Sequence, residues 1–398
     1  MPEKLRIIVS GMAATYPFGG VFWDYMNYVE GFHQLGHEVL YIEDNGSWCY
    51  NPETQTFQEN GSQNALRLSK GIQKLNPELS DKWFYRDSLG KTYGKPWEEV
   101  KDFCKSSDLF INISAASMFR EEYFSARVKM FIDTDPLYTQ GEIAEDQSES
   151  SDKKHLRRYD RLLQHDGHFT FGENIGQPDC TIPTGLFNWK TTRQPIAMQH
   201  FRDHMVQPDK RRPVLTTIAS WEPQEDLPVV NGKKLYGKSM EFLRFIDLPK
   251  KCSYPIEVAI SGPIPYDKFI SKKWDLIDGY SVSKDPWIYR DYLAHSMAEW
   301  SVAKNAYVHS NSGWFSCRSA CYLALGVPVI VQDTGFDRII PTGEGVFSFN
   351  TIEQALDAID QVFRDPVRHS KAAQEIAFEY FDSDKVLTDL IDKTSIIS

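Results

Sequence analysis

With 398 residues the chain is too long for one ordinary hydrophobic core and fits two domains of common size. Its 41% hydrophobic and 13% aromatic content is that of a globular protein and excludes a disordered one. A formal charge of -11 argues against a general nucleic-acid binder, which needs a basic face, yet it tolerates a local basic cleft.

The N-terminal stretch MPEKLRIIVSGMAATY has only about four apolar residues in a row, so Leu5–Val9 reads as a first strand and not as a signal peptide. A loop, Ser10–Gly20, a helix, Val21–Leu35, and a strand, Glu38–Ile42, complete a βαβ unit. The loop GMAATYPFGG lacks the G-x-G-x-x-G spacing of a dinucleotide fingerprint. Gly19 and Gly20 allow the backbone to approach a ligand closely. Asp24, in the first turn of the helix, suits the positive end of the helix dipole and is also a candidate base. From Asn45 to Lys95 the periodicity is poor, and we expect an excursion with one or two helices whose aromatics, Trp48, Tyr50, Trp83, Phe84 and Tyr85, shape a binding site or stabilise the insertion itself.

A helix, Trp97–Ser106, and a strand, Leu109–Ile113, lead to the strand Val128–Ile132, which runs into Asp133-Thr134-Asp135-Pro136. Two carboxylates at the carboxyl end of a buried strand point to a cleft in an open α/β sheet, and Pro136 stops the strand there. Either carboxylate could take a proton from a hydroxyl or merely cap the next loop. The charged segment Gln140–Arg158 reads as a surface loop leading into a helix. Glu173, after the strand Phe169–Phe171, is a better cleft candidate than His165 or His168. The prolines from Pro178 to Pro213 mark an interdomain linker, so domains are expected at 1–190 and 191–380, with 381–398 as a C-terminal helix.

The second half opens with the strand Val214–Ala219, a helix after Tyr236-Gly237-Lys238, and the strand Ile256–Ile260. Tyr280–Leu293 supplies a loop and a helix start containing Trp287, followed by a helix, Asp291–Ala303, and a strand, Ala306–His309. The stretch His309–Phe336 then reads as a loop, a helix whose first turn carries Ser316 and Arg318, a GVP turn, a buried strand (Pro328–Val331) and a polar loop (Gln332–Gly335). That order places a helix N-terminus and a strand-end loop on one edge of a parallel sheet, a design for holding a diphosphate. A short strand, Gly345–Phe349, a helix, Ile352–Phe363, and a helical region, Val367–Ile391, close the chain. No stretch approaches the roughly 18 apolar residues of a membrane span, and six cysteines without a C-x-x-C pair suit reduced thiols, so a cytoplasmic location is expected. Cys317 and Cys321 lie one helical turn apart but lack partners at metal-ligand spacing.

Gly313-Trp314, a helix, Gly326-Val327-Pro328 and Asp333-Thr334-Gly335 resemble the nucleotide-sugar half of GT-B glycosyltransferases of the family 4 and family 1 kind. His309 stands two residues upstream of the family's histidine position, and Cys321 takes the place of the glutamate that binds the donor ribose. The resemblance implies an α/β protein of two Rossmann-like domains facing each other across a cleft, with a C-terminal helix, Asp382–Ile391, crossing back to the first. It implies a donor site of Lys238, Trp287, His309, Gly313, Trp314, Ser316, Arg318, Gln332, Asp333, Thr334 and Gly335, with Lys238 and Arg318 against the diphosphate. Gln332 and Asp333 would touch sugar hydroxyls, and Trp287 would lie beside the nucleobase. On the acceptor side it implies Gly19, Gly20 and Glu173, with Asp24, Asp133 or Asp135 taking the acceptor's proton. The expected reaction is metal-independent sugar transfer from a nucleoside-diphosphate sugar, a UDP-sugar first, to an acceptor hydroxyl, with no tightly bound cofactor. The alternatives are a GT-B-like epimerase and a catalytically silent sugar-nucleotide-binding protein.

Overall fold

Strands that read as continuous apolar runs, such as RIIVS and LFINI, are covered on both faces, as parallel strands are. In the computed structural model, which describes residues 4–118, 120–146, 160–185, 187–221, 229–230, 233–394 and 396, these runs assemble two separate sheets. The first contains β1 (Arg6–Ser10), β2 (Glu38–Glu43), β5 (Trp83–Arg86), β6 (Thr92–Gly94), β7 (Leu109–Ile113), β8 (Val128–Asp133), β9 (Gly167–Thr170) and β10 (Trp189–Thr191), a small hairpin of β3 (Cys49–Asn51) and β4 (Thr56–Gln58) lying outside it. Its order is β10-β9-β8-β7-β1-β2-β5-β6, parallel throughout except for β6.

The second sheet is built from β11 (Arg212–Ser220), β14 (Ile256–Ser261), β15 (Asp275–Asp278), β16 (Ser296–Ser301), β17 (Val329–Gln332) and β18 (Val346–Phe349). Two short strands, β12 (Val229–Val230) and β13 (Lys233–Lys234), pair only with each other. The order β15-β14-β11-β16-β17-β18 is wholly parallel. In each sheet the chain order reverses beside one central strand, β1 in the first and β11 in the second. Such reversals open a crevice at the strands' carboxyl ends.

The helix Gly19–Gln34 joins the two halves. Its Trp23 indole donates to the Pro286 carbonyl at 2.9 Å, and a Cβ on Gly19 would lie 2.5 Å from the Tyr289 Cβ. The helix Ser383–Thr394 crosses back to the first sheet's layer. A Cβ on Gly31 would meet Leu387 Cδ1 at 2.6 Å, and the Lys393 ammonium donates to the Thr191 carbonyl at 2.9 Å. Small residues at both contacts let backbones approach, so the two domains are held by packing as well as by their linker.

Several expectations change. The helix expected at Asp291–Ala303 ends at Ala294, β16 follows, and the strand expected at Ala306–His309 is the helix Asn305–Ser310. The reason is Glu299: a carboxylate in SMAEWS argues against a buried strand, but it is paired inside the fold with Arg318. The excursion 45–95 contributes β5 and β6 to the main sheet. Trp189, expected in the linker, lies in β10 of the first sheet. The charged segment begins as the helix Tyr138–Asp146, and its part at 147–158 lies outside the described residues.

Candidate functional site

Between the two sheets lies a cleft of about 970 Å³. The first domain supplies the loop after β1 (Tyr16, Phe18), the start of the helix Gly19–Gln34 (Gly20, Asp24), the end of β7 (Ile113, Ser114) and the residues after β8 (Thr134, Asp135). The second supplies the ends of β11 (Ile218, Ala219, Ser220), β14 (Ile260, Ser261, Gly262) and β15 (Asp278), with Lys238, Lys304, Ser316, Cys317 and Arg318. Both topological reversals therefore open into the same space.

Of the residues singled out in the sequence, Gly20, Asp24, Asp135, Lys238, Trp314, Ser316 and Arg318 line this cleft. Asp24 sits in the second turn of its helix, which starts at Gly19 and not at Val21. Burial, followed by the nearby Asp135 charge, pushes its carboxyl up to about 7, while a Cys317 thiol hydrogen bond and Arg318 pull the other way. Asp135 behaves oppositely. Its place in the cleft raises it, although 53% of its side chain is open, but the Lys304 ammonium at 2.8 Å and the Tyr307 hydroxyl outweigh that desolvation and hold it below the ordinary carboxylate range. Two neighbouring carboxylates thus differ in proton affinity, the arrangement that separates an acid-base group from a fixed charge.

Arg318 is already committed. Its guanidinium contacts Glu299 and the Ile218 carbonyl, each at 2.7 Å, and only 12% of its side-chain surface is open. Ser316 takes the N-cap position of the helix Cys317–Ala324 without a side-chain capping bond, and Ser316, Cys317 and Arg318 bring the first turn of that helix, with its free backbone N–H groups, to the cleft wall.

Other expected residues are placed elsewhere. Asp133 is buried and accepts from Gln140, Thr170 and Thr139, so it lines a smaller neighbouring cavity of about 280 Å³ and not the main cleft. Burial lifts its carboxyl to about 6 against those hydrogen bonds. Glu173 is paired with Arg193. Trp287 packs edge-on against Trp23 at 5.4 Å and carries Lys74 over its ring. Gly19 is the first residue of its helix and abuts Tyr289.

The loop expected to grip the donor has its side chains engaged within the second domain and its Gly335 carbonyl bonded to the first. Gln332 is buried and bonded to Ala303 and Glu241, the Asp333 carboxylate accepts from Gly335 and Asn350, and the Thr334 hydroxyl donates to the Trp314 carbonyl. The Asn174 side chain donates to the carbonyls of Gly335 at 2.9 Å and Asn311 at 3.1 Å. Gly313, at φ 73°, lies against Asn174, where a Cβ would come within 2.7 Å of the Asn174 nitrogen. His309 is exposed at the end of the helix Asn305–Ser310 and does not line the cleft.

Sequence reasoning missed Lys304, Tyr307, Asp278 and Ser220. Lys304 would have been found had β16 been read as a strand, because it then lies just past a strand end. Asp278 is the one carboxylate that the second domain brings to the cleft among the described lining residues. Among the described residues no group of three or more His, Cys, Asp and Glu is placed to hold a metal ion, and no helix is long and apolar enough to cross a membrane.

No family model matches this sequence, and no curated protein matches it either. Solved structures do. An alpha-glucosyltransferase in complex with UDP and a 13-mer DNA containing a central A:G mismatch superposes with a TM-score of 0.61 at 10% identity, covering 98% of this chain and 99% of that one. A glycosyltransferase from Rickettsia africae ESF-5 gives 0.52 at 12% identity, with 99% of both chains covered. AviGT4, a glycosyltransferase involved in avilamycin A biosynthesis, gives 0.51 at 12% identity over 98% and 97%. With two predominantly parallel sheets, a cleft at their carboxyl ends and a returning C-terminal helix, the chain has the GT-B fold over nearly its whole length.

Proposed function

We propose that this protein transfers a sugar from a nucleoside-diphosphate sugar, with UDP the first nucleotide to test, to an acceptor hydroxyl. The observation that carries the reading is the polarity of the cleft: Lys238, Lys304 and Arg318 stand on second-domain elements, and Asp24 and Asp135 on first-domain elements across from them. Solved neighbours bound to UDP and to UDP-glucose support it.

In this reading the diphosphate lies against Lys238, Lys304 and the N-terminus of the helix Cys317–Ala324. These groups are in place before the leaving group gains charge, so little reorganisation opposes that step. Asp278, at the end of β15, takes the ribose hydroxyls in place of the glutamate that Cys321 lacks. Asp24 takes the acceptor's proton, its carboxyl being poised near neutral pH where a base is most useful. The domain limits at 190 and 380 belong to the same proposal. DNA bound by one neighbour is that protein's ligand; here the lining cations all lie on the second-domain wall.

The test is a thermal-shift screen with UDP, GDP, ADP, CMP, dTDP and NAD, with and without magnesium, followed by assay of nucleoside diphosphate released from the matching sugar nucleotide. A midpoint rise with a nucleoside diphosphate supports the reading. A rise with NAD alone, or with nothing, overturns it. A changed sugar nucleotide formed without acceptor points to an epimerase, and binding without turnover to a silent binding protein.

A further inference from the structure

The first-domain mouth of the cleft has a composition unlike the rest. Tyr16 and Phe18 from the loop after β1, with Tyr50, Gln55 and Phe57 from the β3–β4 hairpin, line it. Phe57 is 52% exposed, although a large apolar side chain gains by burial. The hairpin is not loose. The Tyr50 nitrogen donates to the Thr15 carbonyl at 2.8 Å, and the Asn64 amide donates to the carbonyls of Ala14 at 2.7 Å and Tyr50 at 2.9 Å. Behind them the buried Glu43 carboxylate accepts from the Ala14 and Thr15 nitrogens and the Thr15 hydroxyl. An exposed aromatic held this firmly is pre-organised for contact.

The geometry points to the occupant. Tyr16 and Phe57 stand 6.2 Å apart at 83°, and Tyr50 and Phe57 5.4 Å apart at 74°. These rings form a corner, whereas stacking a flat aromatic guest on both of its faces needs a slot between near-parallel rings. A corner suits a puckered ring that offers C–H groups on more than one side. Gln55, at φ 55° in the hairpin turn, adds an amide donor and acceptor to the same lining. The cations lining the cleft, Lys238, Lys304 and Arg318, all belong to the second domain, so this mouth is not built for a polyanion.

We infer that the corner formed by Tyr16, Tyr50 and Phe57, with Gln55 in the same lining, is the acceptor subsite and that it takes a pyranose ring, making the acceptor a saccharide. This rests on the transferase reading above.

The experiment uses the full chain. UDP affinity is measured first by calorimetry; then, with UDP saturating, methyl β-D-glucopyranoside, maltose, cellobiose and p-nitrophenol are tested by saturation-transfer NMR. A saccharide is expected to bind, with Phe57→Ala weakening it about tenfold and Gln55→Ala roughly threefold, while UDP affinity stays unchanged. Because Phe57 is half exposed, retained UDP binding by Phe57→Ala reports an intact fold. UDP binding with no saccharide bound, binding of p-nitrophenol alone, or saccharide affinity indifferent to Phe57→Ala overturns the inference and leaves the donor reading standing. Absence of UDP binding overturns the donor reading itself.

Discussion

Asp135 of the first domain and Lys304 of the second meet across the cleft at 2.8 Å. The Tyr307 hydroxyl donates to the same carboxylate oxygen, so one second-domain segment ties down the first domain's charge. A diphosphate entering beside Lys304 would share that cation with Asp135, which links donor binding to the acceptor wall.

Lys304→Met is therefore expected to weaken UDP binding by roughly tenfold, as loss of a charge-assisted contact does. It also removes the group that holds the Asp135 carboxyl low. A low folded value contributes stability above the ordinary carboxylate range, lost as pH falls through the folded value. The variant's thermal midpoint should thus vary less than the wild type's on the acid side, a difference kept small by the exposure of Asp135.

Asp24→Asn should lower turnover by about 10²- to 10⁴-fold if Asp24 is the base, with UDP affinity little changed. In the wild type, turnover should rise with pH through about 7, where Asp24 ionises. Stability should move the other way. The folded value lies above the ordinary 3.8, so the folded chain holds this proton more tightly, and stability from Asp24 falls as pH rises from about 4 to about 7. Asparagine mimics the protonated form, so the variant should gain in melting temperature relative to wild type more at pH 8 than at pH 5.

Arg318→Ala should act chiefly on folding. Glu299 is fully buried and its ion pair with Arg318 would be lost, a change that typically costs about 3–5 kcal/mol. Chemical denaturation should show most of that loss recovered by the double variant Glu299→Gln with Arg318→Met. A variant that keeps full stability and loses only donor affinity would place Arg318 in the donor site instead.

Asn174→Ala removes two donations to the Gly335 and Asn311 carbonyls at the domain junction and is expected to cost about 1–3 kcal/mol. Gly313→Ala should cost at least as much, since it strains a positive φ and drives a Cβ into Asn174. Hydrogen exchange of the 310–314 and 332–336 segments should quicken in both variants.

What the sequence by itself determined is the set of elements with local cause. The runs Leu5–Val9, Leu109–Ile113 and Ile256–Ile260 are apolar at nearly every position and only five residues long, a length and pattern that suit a strand covered on both faces, and their alternation with helices points to a parallel sheet. The GVP turn, the strand after it and the two-domain layout followed from the same logic. Tertiary structure alone decided which polar groups face the cleft. Glu299 could be read as part of a strand only once Arg318, nineteen positions away, supplied its partner. Gln332, Asp333, Thr334 and Gly335 carry the composition of a ligand loop, but Glu241, Asn350, Trp314 and Asn174 respectively engage their side chains or, for Gly335, its carbonyl. Lys304 and Asp135 became a site because two residues 169 positions apart in sequence, one on each domain, are brought together across the cleft. Periodicity encodes what a segment buries, whereas the partner of a buried charge or a loop carbonyl is chosen by contacts that no local pattern records.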